Sequence, residues 1–515
     1  MRKKIRTLVA ALCLSVLPAF CIPANIIPYP DKIEYGEGSF KLTPDTKIIF
    51  DKRLDSEKAF YTRILEQTIG TPFEKGGKGG NTIRLKIDNR AGMAEEGYKL
   101  DITTNTVEIT ASSAKGIFYG IQSLNQLITQ NAEGRQASLP AVKIEDQPRF
   151  GWRGCMLDVS RTFMDKKLLM RYIDLMASYK LNILHLHLID DQGWRIEIKR
   201  YPRLTAVGSR YDAEFNEMGG YYTQEDIREI VVYATLRNIT VIPEFELPGH
   251  ECAAIASYPE LSCRGIRPKI HPYFKGDQIH KEIFCAGKPE VYDFIYHVLD
   301  EFLPLFPSKY IHIGGDEAPK SEWHQCPHCQ KAIRENHLAN EEELQSYFVQ
   351  KVGEYIRQKG REVIGWDEIL DGGKLGGNEV IMYWRSWKAK EVEAAARQGF
   401  KIISCPNSHC YVDYNYQTID TKKVYSYEPI PTGTPEETAR NYMGVQANFW
   451  SHIDRSEGRI DQQLFPRLLA LSEIAWSRAQ NKDWARFRQT AKLHSEKLRS
   501  QHIESYKDAS IYQPD

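Results

Sequence analysis

From Pro148 onward the chain alternates between short, solid apolar runs and longer stretches with helical spacing. The runs are "CMLDVS", "NILHLHLIDD", "ITVIPEFELPGH", "YIHIGGDE", "EVIGWDEIL", "EVIMYWRSW", "KIISCPNSHCYVDY" and "GVQANFW". Runs without the polar alternation of a half-buried strand are what a parallel sheet covered on both faces requires. Between most of them lie helix-like stretches such as "KKLLMRYIDLMASYK", "TQEDIREIVVYATLRN", "PEVYDFIYHVLDEFLPLF" and "EELQSYFVQKVGEYIRQKG". The pattern predicts an α/β fold, a (β/α)8 barrel, with "QQLFPRLLALSEIAW" as its last helix. "DGGKLGGN", between the fifth and sixth runs, is too short for a helix, so one unit is irregular.

Upstream the rhythm differs. "TIRLKI", "GYKLDIT" and "TVEITAS" alternate apolar and polar residues like half-buried strands, and "AKGIFYGIQSLNQLI" has helical spacing. This predicts a small α+β domain over residues 25–147, with "EDQPRFGWRG" marking its boundary with the barrel and C-terminal helices over 148–515. "GGKGGN" lacks the Gly-Lys-Ser/Thr ending of a phosphate cradle and reads as a surface loop. Residues 1–24 combine a basic start, an apolar run from Leu8 to Phe20 and small residues, the pattern of a secretory signal. The expected product is exported, periplasmic or at the cell surface, and Cys21 is a candidate for lipid anchoring although Phe20 is bulky where a small residue is wanted. No later run is long enough to span a bilayer.

Charge then narrows the partner. Lys+Arg and Asp+Glu balance at 68 each, so no net field favours nucleic acid or an anionic membrane. A small or neutral ligand is expected. In the barrel, polar and aromatic residues gather at or just past strand ends: Arg161, Asp190, Asp191, His250, Asp316, Glu317, Trp366, Trp384, Tyr411, Asp413 and Trp450. That end carries the site in such barrels. Carboxylates beside several aromatic rings suit sugar chemistry, because rings stack on a pyranose face while carboxylates bind hydroxyls or move protons.

"HIGGDEAPK" sets Asp316 and Glu317 side by side. A retaining glycosidase with a carboxylate nucleophile places its two carboxyl groups about 5–5.5 Å apart across the scissile bond, and an inverting one about 6.5–9.5 Å. Neighbours on one strand flank a bond badly. A better division of labour makes Glu317 the proton donor and lets Asp316 hold a substrate group that itself supplies the nucleophile.

"HIGGDEAPK" resembles the catalytic motif of family 20 glycoside hydrolases, the β-N-acetylhexosaminidases, as do "RGCMLDVSRTF", "LNILHLHLIDDQGWRIEI", "VIPEFELPGHECAA", "VIGWDEIL", "YVDYNY" and "GVQANFW", in that family's order. The resemblance implies removal of terminal GlcNAc or GalNAc with retention, the 2-acetamido oxygen attacking its own anomeric carbon, and no cofactor or metal in the reaction. It implies that Asp316 orients the acetamido N–H, Glu317 protonates the leaving oxygen and then activates water, and Tyr411 bonds the acetamido oxygen. Trp366, Trp384 and Trp450 would line the pocket, Arg161 would bind the 3- and 4-hydroxyls, Asp413 the 6-hydroxyl, and Asp190 with His250 would support the acid. The sequence departs from the family pattern where a glutamate is expected two residues past Trp450: His452 stands there. That shift implies altered subsite chemistry, toward GalNAc-type epimers or an anionic sugar such as a sulfated GlcNAc, or else a histidine turned away with Arg161 sufficing. A lacto-N-biosidase, a non-catalytic glycan binder and a zinc hydrolase are the competing readings.

Eight cysteines follow residue 24, and in an oxidising compartment pairing is expected. Cys263 and Cys285 flank a basic, Pro/Gly-punctuated stretch and are expected to staple it. Cys326 and Cys329 form one Cys-x-x-Cys, half of a structural zinc site, with no second pair at a suitable spacing, so a disulfide or free thiols is expected there. His185 and His187 alternate with leucines on a buried run and read as core residues or as supports behind the site.

Overall fold

The computed structural model describes residues 25–513 except 71, 75–78, 91, 131–136, 216–218, 276–279, 374 and 453–455; the signal reading and Cys21 lie outside the described residues. None of the described helices is long and apolar enough to cross a membrane.

The first domain is built on a sheet of β1 (Lys32–Leu42), β2 (Lys47–Phe50), β3 (Thr82–Ile87), β4 (Tyr98–Ile102), β5 (Thr106–Ala111), β6 (Thr129–Gln130) and β7 (Ala137–Asp146). The order is β1-β7-β4-β5-β3-β2, with β6 on β7. β3, β4 and β5 bury alternate residues, as their pattern predicts, and helix Ala114–Leu127 covers them. Ser113 caps that helix, its hydroxyl accepting from the backbone of Lys115 and Gly116. Long β1 and β7 and helix Lys58–Ile69 are additions to the sequence reading.

The second domain is a closed barrel of parallel strands: β8 (Trp152–Asp158), β9 (Ile183–His187), β12 (Thr240–Leu247), β13 (Tyr310–Gly314), β14 (Glu362–Trp366), β15 (Val380–Tyr383), β16 (Lys401–Ser404) and β17 (Tyr442–Phe449), which pairs back to β8. Between β9 and β12 a two-residue hairpin intervenes, β10 (Ile189–Asp190) and β11 (Gly193–Trp194). Every residue of β8 and β9 is buried, the reason these runs lack polar alternation. Among the described residues β14 and β15 are joined by a 3-10 turn, Asp367–Leu370, and no crossover helix, which is the irregular unit that "DGGKLGGN" predicts. Helix Arg467–Trp476 follows β17 and closes on β17 and β8.

Buried charges pin the domains together. Asp146, at the end of β7, accepts from Tyr98 Oη at 2.6 Å, Lys180 Nζ at 2.9 Å and Trp476 Nε1 at 2.9 Å. Arg153 of β8 donates to Glu96 Oε2 at 2.8 Å and Tyr119 Oη at 3.1 Å. Each buried ion has its partner, so removing one member leaves an uncompensated charge.

Candidate active site

The turn that follows β13 sets the site. Gly314 (φ 65) and Gly315 (φ 96) both take left-handed backbone, and Glu317 does so at φ 43 although it carries a Cβ. A non-glycine residue held there costs about 1–3 kcal/mol, a strain that persists where surrounding contacts over-determine it. Glu246 supplies one such contact: its Oε1 accepts from Gly315 N at 3.0 Å and Leu247 N at 3.0 Å, and Gln345 Nε2 donates to Gly315 O at 2.7 Å. A Cβ at position 314 would stand 1.7 Å from Glu246 Oε1. Gly314→Ala is therefore expected to lower stability by about 2–5 kcal/mol, left-handed strain plus overpacking, read from the denaturant midpoint. An unchanged midpoint would refute the need for glycine.

The result is an unequal carboxylate pair. Asp316 is buried, and burial first, then the charges of Glu317 and Glu244, pushes its carboxyl up to about 6. Its Oδ1 is buried with no protein partner. Glu317 has a side chain 40% exposed. His250 Nε2 stands 3.7 Å from Asp316 Oδ2 and 3.7 Å from Glu317 Oε2, so one imidazole edge faces both acids. The other nitrogen, Nδ1, lies 3.3 Å from Asp190 Oδ1 and 3.4 Å from Asp191 Oδ2. Burial opposes charge on His250, yet Asp190 and Asp191 hold its pKa well above the ordinary value, leaving a cation between two acidic pairs.

Beneath lies a hub that the sequence reading does not single out. Glu244 of β12 accepts from Trp366 Nε1 at 2.8 Å, lies 2.9 Å from His312 Nδ1 and 3.2 Å from His185 Nε2, and bonds His187 Nδ1. His187 Nε2 reaches Asp190 Oδ2 at 2.8 Å. The two "HLHL" histidines thus support the site from behind. His187, although burial opposes charge, is raised to about 10 by Glu244 and Asp190, while burial pushes His185 down to about 4. "VIPEFEL" carried the signal: Glu244 and Glu246 on a fully buried run must find partners.

Aromatic rings form the wall. Trp384 stacks on Tyr411 with centroids 6.1 Å apart, Tyr411 meets Trp450 at 6.2 Å, and Trp450 meets Trp366 at 5.9 Å. Trp366 is the floor, 1% exposed. Burial raises the Tyr411 phenol well above its usual range, so it stays an O–H donor. At the far rim Arg161 lies over Trp450, 4.8 Å from its centroid, and pairs with Asp190 Oδ2 at 2.8 Å. His452 Nε2 is 3.7 Å from Asp413 Oδ2, and its ring packs on Tyr273 at 4.9 Å. It therefore faces the site and is not turned away. Burial and the Arg161 charge push His452 down to about 4, and burial pushes Asp413 up to about 7. Tyr273 comes from a loop without periodicity, and no sequence signal marks it.

Beside Glu317 a cavity of about 340 Å³ opens toward the β14–β15 link, lined by Lys320, Glu342, Glu368, Trp384, Arg385 and Trp387 among others. Glu368, another residue absent from the sequence reading, accepts from Trp384 Nε1 at 2.8 Å, and burial and the Asp316 charge raise its pKa well above the ordinary value.

The expected staple between Cys263 and Cys285 is not formed: neither sulfur is in a disulfide. The bridge between Ser262 and Phe284 brings the pair near Cys326 and Cys329, and Cys285 Sγ sits 3.7 Å from Cys326 Sγ and 3.6 Å from Cys329 Sγ, bonded to neither. The second pair that sequence spacing denies to the Cys-x-x-Cys is thus supplied by distant segments.

Comparison with known proteins agrees with this arrangement along both domains. Residues 150–479 match the model of the glycosyl hydrolase family 20 catalytic domain, and residues 24–147 that of glycosyl hydrolase family 20 domain 2. The beta-hexosaminidase of Porphyromonas gingivalis is 40% identical over 506 residues, covering 92% of this chain, which spans 63% of that protein's length. The beta-hexosaminidase of Akkermansia muciniphila is 33% identical over 428 residues, 80% of this chain and 86% of that protein. The crystal structure of the family 20 exo beta-N-acetylglucosaminidase of Vibrio harveyi, in complex with N-acetylglucosamine, superposes with a TM-score of 0.85 at 31% identity, over 94% of this chain and 78% of that one. With a parallel barrel whose fourth strand ends in an adjacent Asp–Glu pair, preceded by the matching small domain, the chain belongs to glycosyl hydrolase family 20.

Proposed function

We propose that this chain is an exo-acting, retaining β-N-acetylhexosaminidase that removes terminal GlcNAc or GalNAc with the substrate's acetamido group as nucleophile. One observation carries the reading: Asp316 and Glu317 share one imidazole edge of His250 and present oxygens within 4.8 Å of each other, closer than the roughly 5–5.5 Å at which two carboxyl groups flank a glycosidic bond. Asp316, deep and with a bare Oδ1, accepts the acetamido N–H and offsets the positive charge of the oxazolinium ion. Tyr411 donates to the acetamido oxygen and aims it at the anomeric carbon, with the Trp366, Trp384 and Trp450 rings shaping the methyl pocket. Glu317, at the solvent-open edge, protonates the leaving oxygen and then takes a proton from water. Arg161, Asp413 and His452 close the non-reducing end.

The test is the anomeric configuration of the first-formed sugar, followed by NMR during hydrolysis of an aryl β-GlcNAc glycoside, together with inhibition by a thiazoline mimic of the oxazolinium. Nascent β-product and tight inhibition are expected. A nascent α-product, or indifference to the thiazoline, would overturn acetamido participation.

His452 is neutral at working pH, and a neutral ring favours an uncharged sugar over a sulfated one. Its neutral ring offers one donor and one acceptor nitrogen, where a carboxylate accepts at both oxygens. His452→Glu is expected to raise the GlcNAc-to-GalNAc ratio of kcat/KM about tenfold, the worth of one charged hydrogen bond. Equal ratios in the two proteins would remove His452 from epimer selection.

A further inference from the structure

Cys263, Cys285, Cys326 and Cys329 converge from three places in the chain. Cys263 and Cys285 close the ends of the long loop after β12, where Ser262 and Phe284 form an antiparallel bridge and Cys285 N donates to Leu261 O at 2.9 Å. Cys326 immediately precedes helix Pro327–Glu335, and Cys329 lies in its first turn. Trp323 Nε1, donating to Phe284 O at 2.9 Å, ties the two segments. Gly287 lets them close: a Cβ there would meet the His328 carbonyl carbon at 2.1 Å and Cys329 N at 2.4 Å.

The sulfur geometry has no favoured pair. Cys263 lies 3.8 Å from Cys329, and Cys285 lies 3.7 Å from Cys326 and 3.6 Å from Cys329. All four sulfurs fall within 4.8 Å of one another. With zinc–sulfur bonds of about 2.3 Å, the edge of a regular tetrahedron of thiolates is about 3.8 Å. We propose that these four cysteines hold one structural zinc ion as a tetrathiolate. The site is closed, with four protein ligands and no position left for water or substrate. Its surroundings suit the net negative charge of such a complex: the Gly287 N–H bonds the Cys285 sulfur, the helix N-terminus points at the cluster, and the Lys288 ammonium lies beside it, on Ser262 O at 2.6 Å. No oxidation or reduction is involved; the thiols lose protons to solvent as the metal binds. The sequence reading, which placed no metal in the chain, is revised on this point. The ion would fasten the loop carrying Tyr273 to the segment just past Asp316 and Glu317, setting the shape of one rim of the pocket.

The test uses the full chain purified without a metal-affinity tag. Elemental analysis is expected to find one zinc per chain, intact mass under non-reducing conditions to find these four cysteines reduced, and cobalt exchanged into the protein to show the near-ultraviolet thiolate charge-transfer bands and intense visible bands of a tetrahedral sulfur site. Cys329→Ser should release the zinc. Zinc retained by that variant would be adventitious and would overturn the proposal, as would a metal-free protein or mapped disulfides among the four. If the variant fails to fold, the wild-type cobalt spectrum decides, since binding at the His250 and Asp316 cluster gives no thiolate bands.

Discussion

Glu317→Gln is expected to lower kcat/KM on an N-acetylglucosaminide with a sugar leaving group by about 10²–10⁴, the usual contribution of a positioned general acid and base. The geometry makes the effect selective. Glu317 is the half-exposed member of the pair, at the mouth beside the open cavity, which on the proposed mechanism sets it against the leaving oxygen and the incoming water and outside the buried acetamido pocket. A nitrophenolate leaves with little need of a proton. Its cleavage should fall less than that of the disaccharide, and the gap between the two substrates measures the acid role. Equal losses on both would mean that Glu317 holds the substrate and does not protonate it. Circular dichroism and the thermal midpoint of the variant separate this from misfolding, since the backbone at residue 317 is already strained.

Asp316→Asn is expected to lower kcat by about 10²–10³, the typical loss when one preorganised electrostatic partner of a transition state is removed. Asparagine keeps the shape and can still accept one hydrogen bond, so the loss reports the charge. The pH profile adds a sharper readout. Burial and the neighbouring carboxylates push Asp316 up to about 6, and the ionised form is the one that stabilises a cation. The wild-type kcat/KM should therefore rise with pH through about 6 and flatten above it, and the variant should lack that limb. Stability runs the other way. A carboxyl raised on folding favours the protonated fold, so its contribution is complete below its unfolded value of 3.8 and is lost as pH rises through about 6. The asparagine variant lacks that loss, and its Tm should exceed the wild type's above pH 6 and not near pH 3. An acid limb that survives in the variant would assign the titration to another group.

The barrel was legible because each of its strands is buried on two faces, which leaves solid apolar runs such as "NILHLHL" and makes the strand ends, with Asp316, Glu317, Trp384 and Tyr411, stand out. The alternation of β3, β4 and β5 was legible for the opposite reason, one face wet and one dry. The rest depends on approach in space. Glu244 has meaning only with His185, His187, His312 and Trp366 around it, contributed by strands far apart in sequence. Tyr273 comes from an aperiodic loop, and the four-cysteine cluster joins ligands between which chain spacing shows no relation. His452 was visible as a departure, but whether it faced the site depended on Asp413 and Tyr273.

The short link between β14 and β15, whose described residues hold only a 3-10 turn, has an evolutionary consequence. The pocket walled by Trp366, Trp384, Tyr411 and Trp450 is built from strand ends and packed rings, whereas the cavity beside Glu317 borders the start of the β14–β15 link at Glu368 and Asp371. On the proposed mechanism, changes in the length of this link would alter which leaving groups fit without disturbing the side chains assigned to the acetamido group. What is cut and what is cut off would then be varied one at a time.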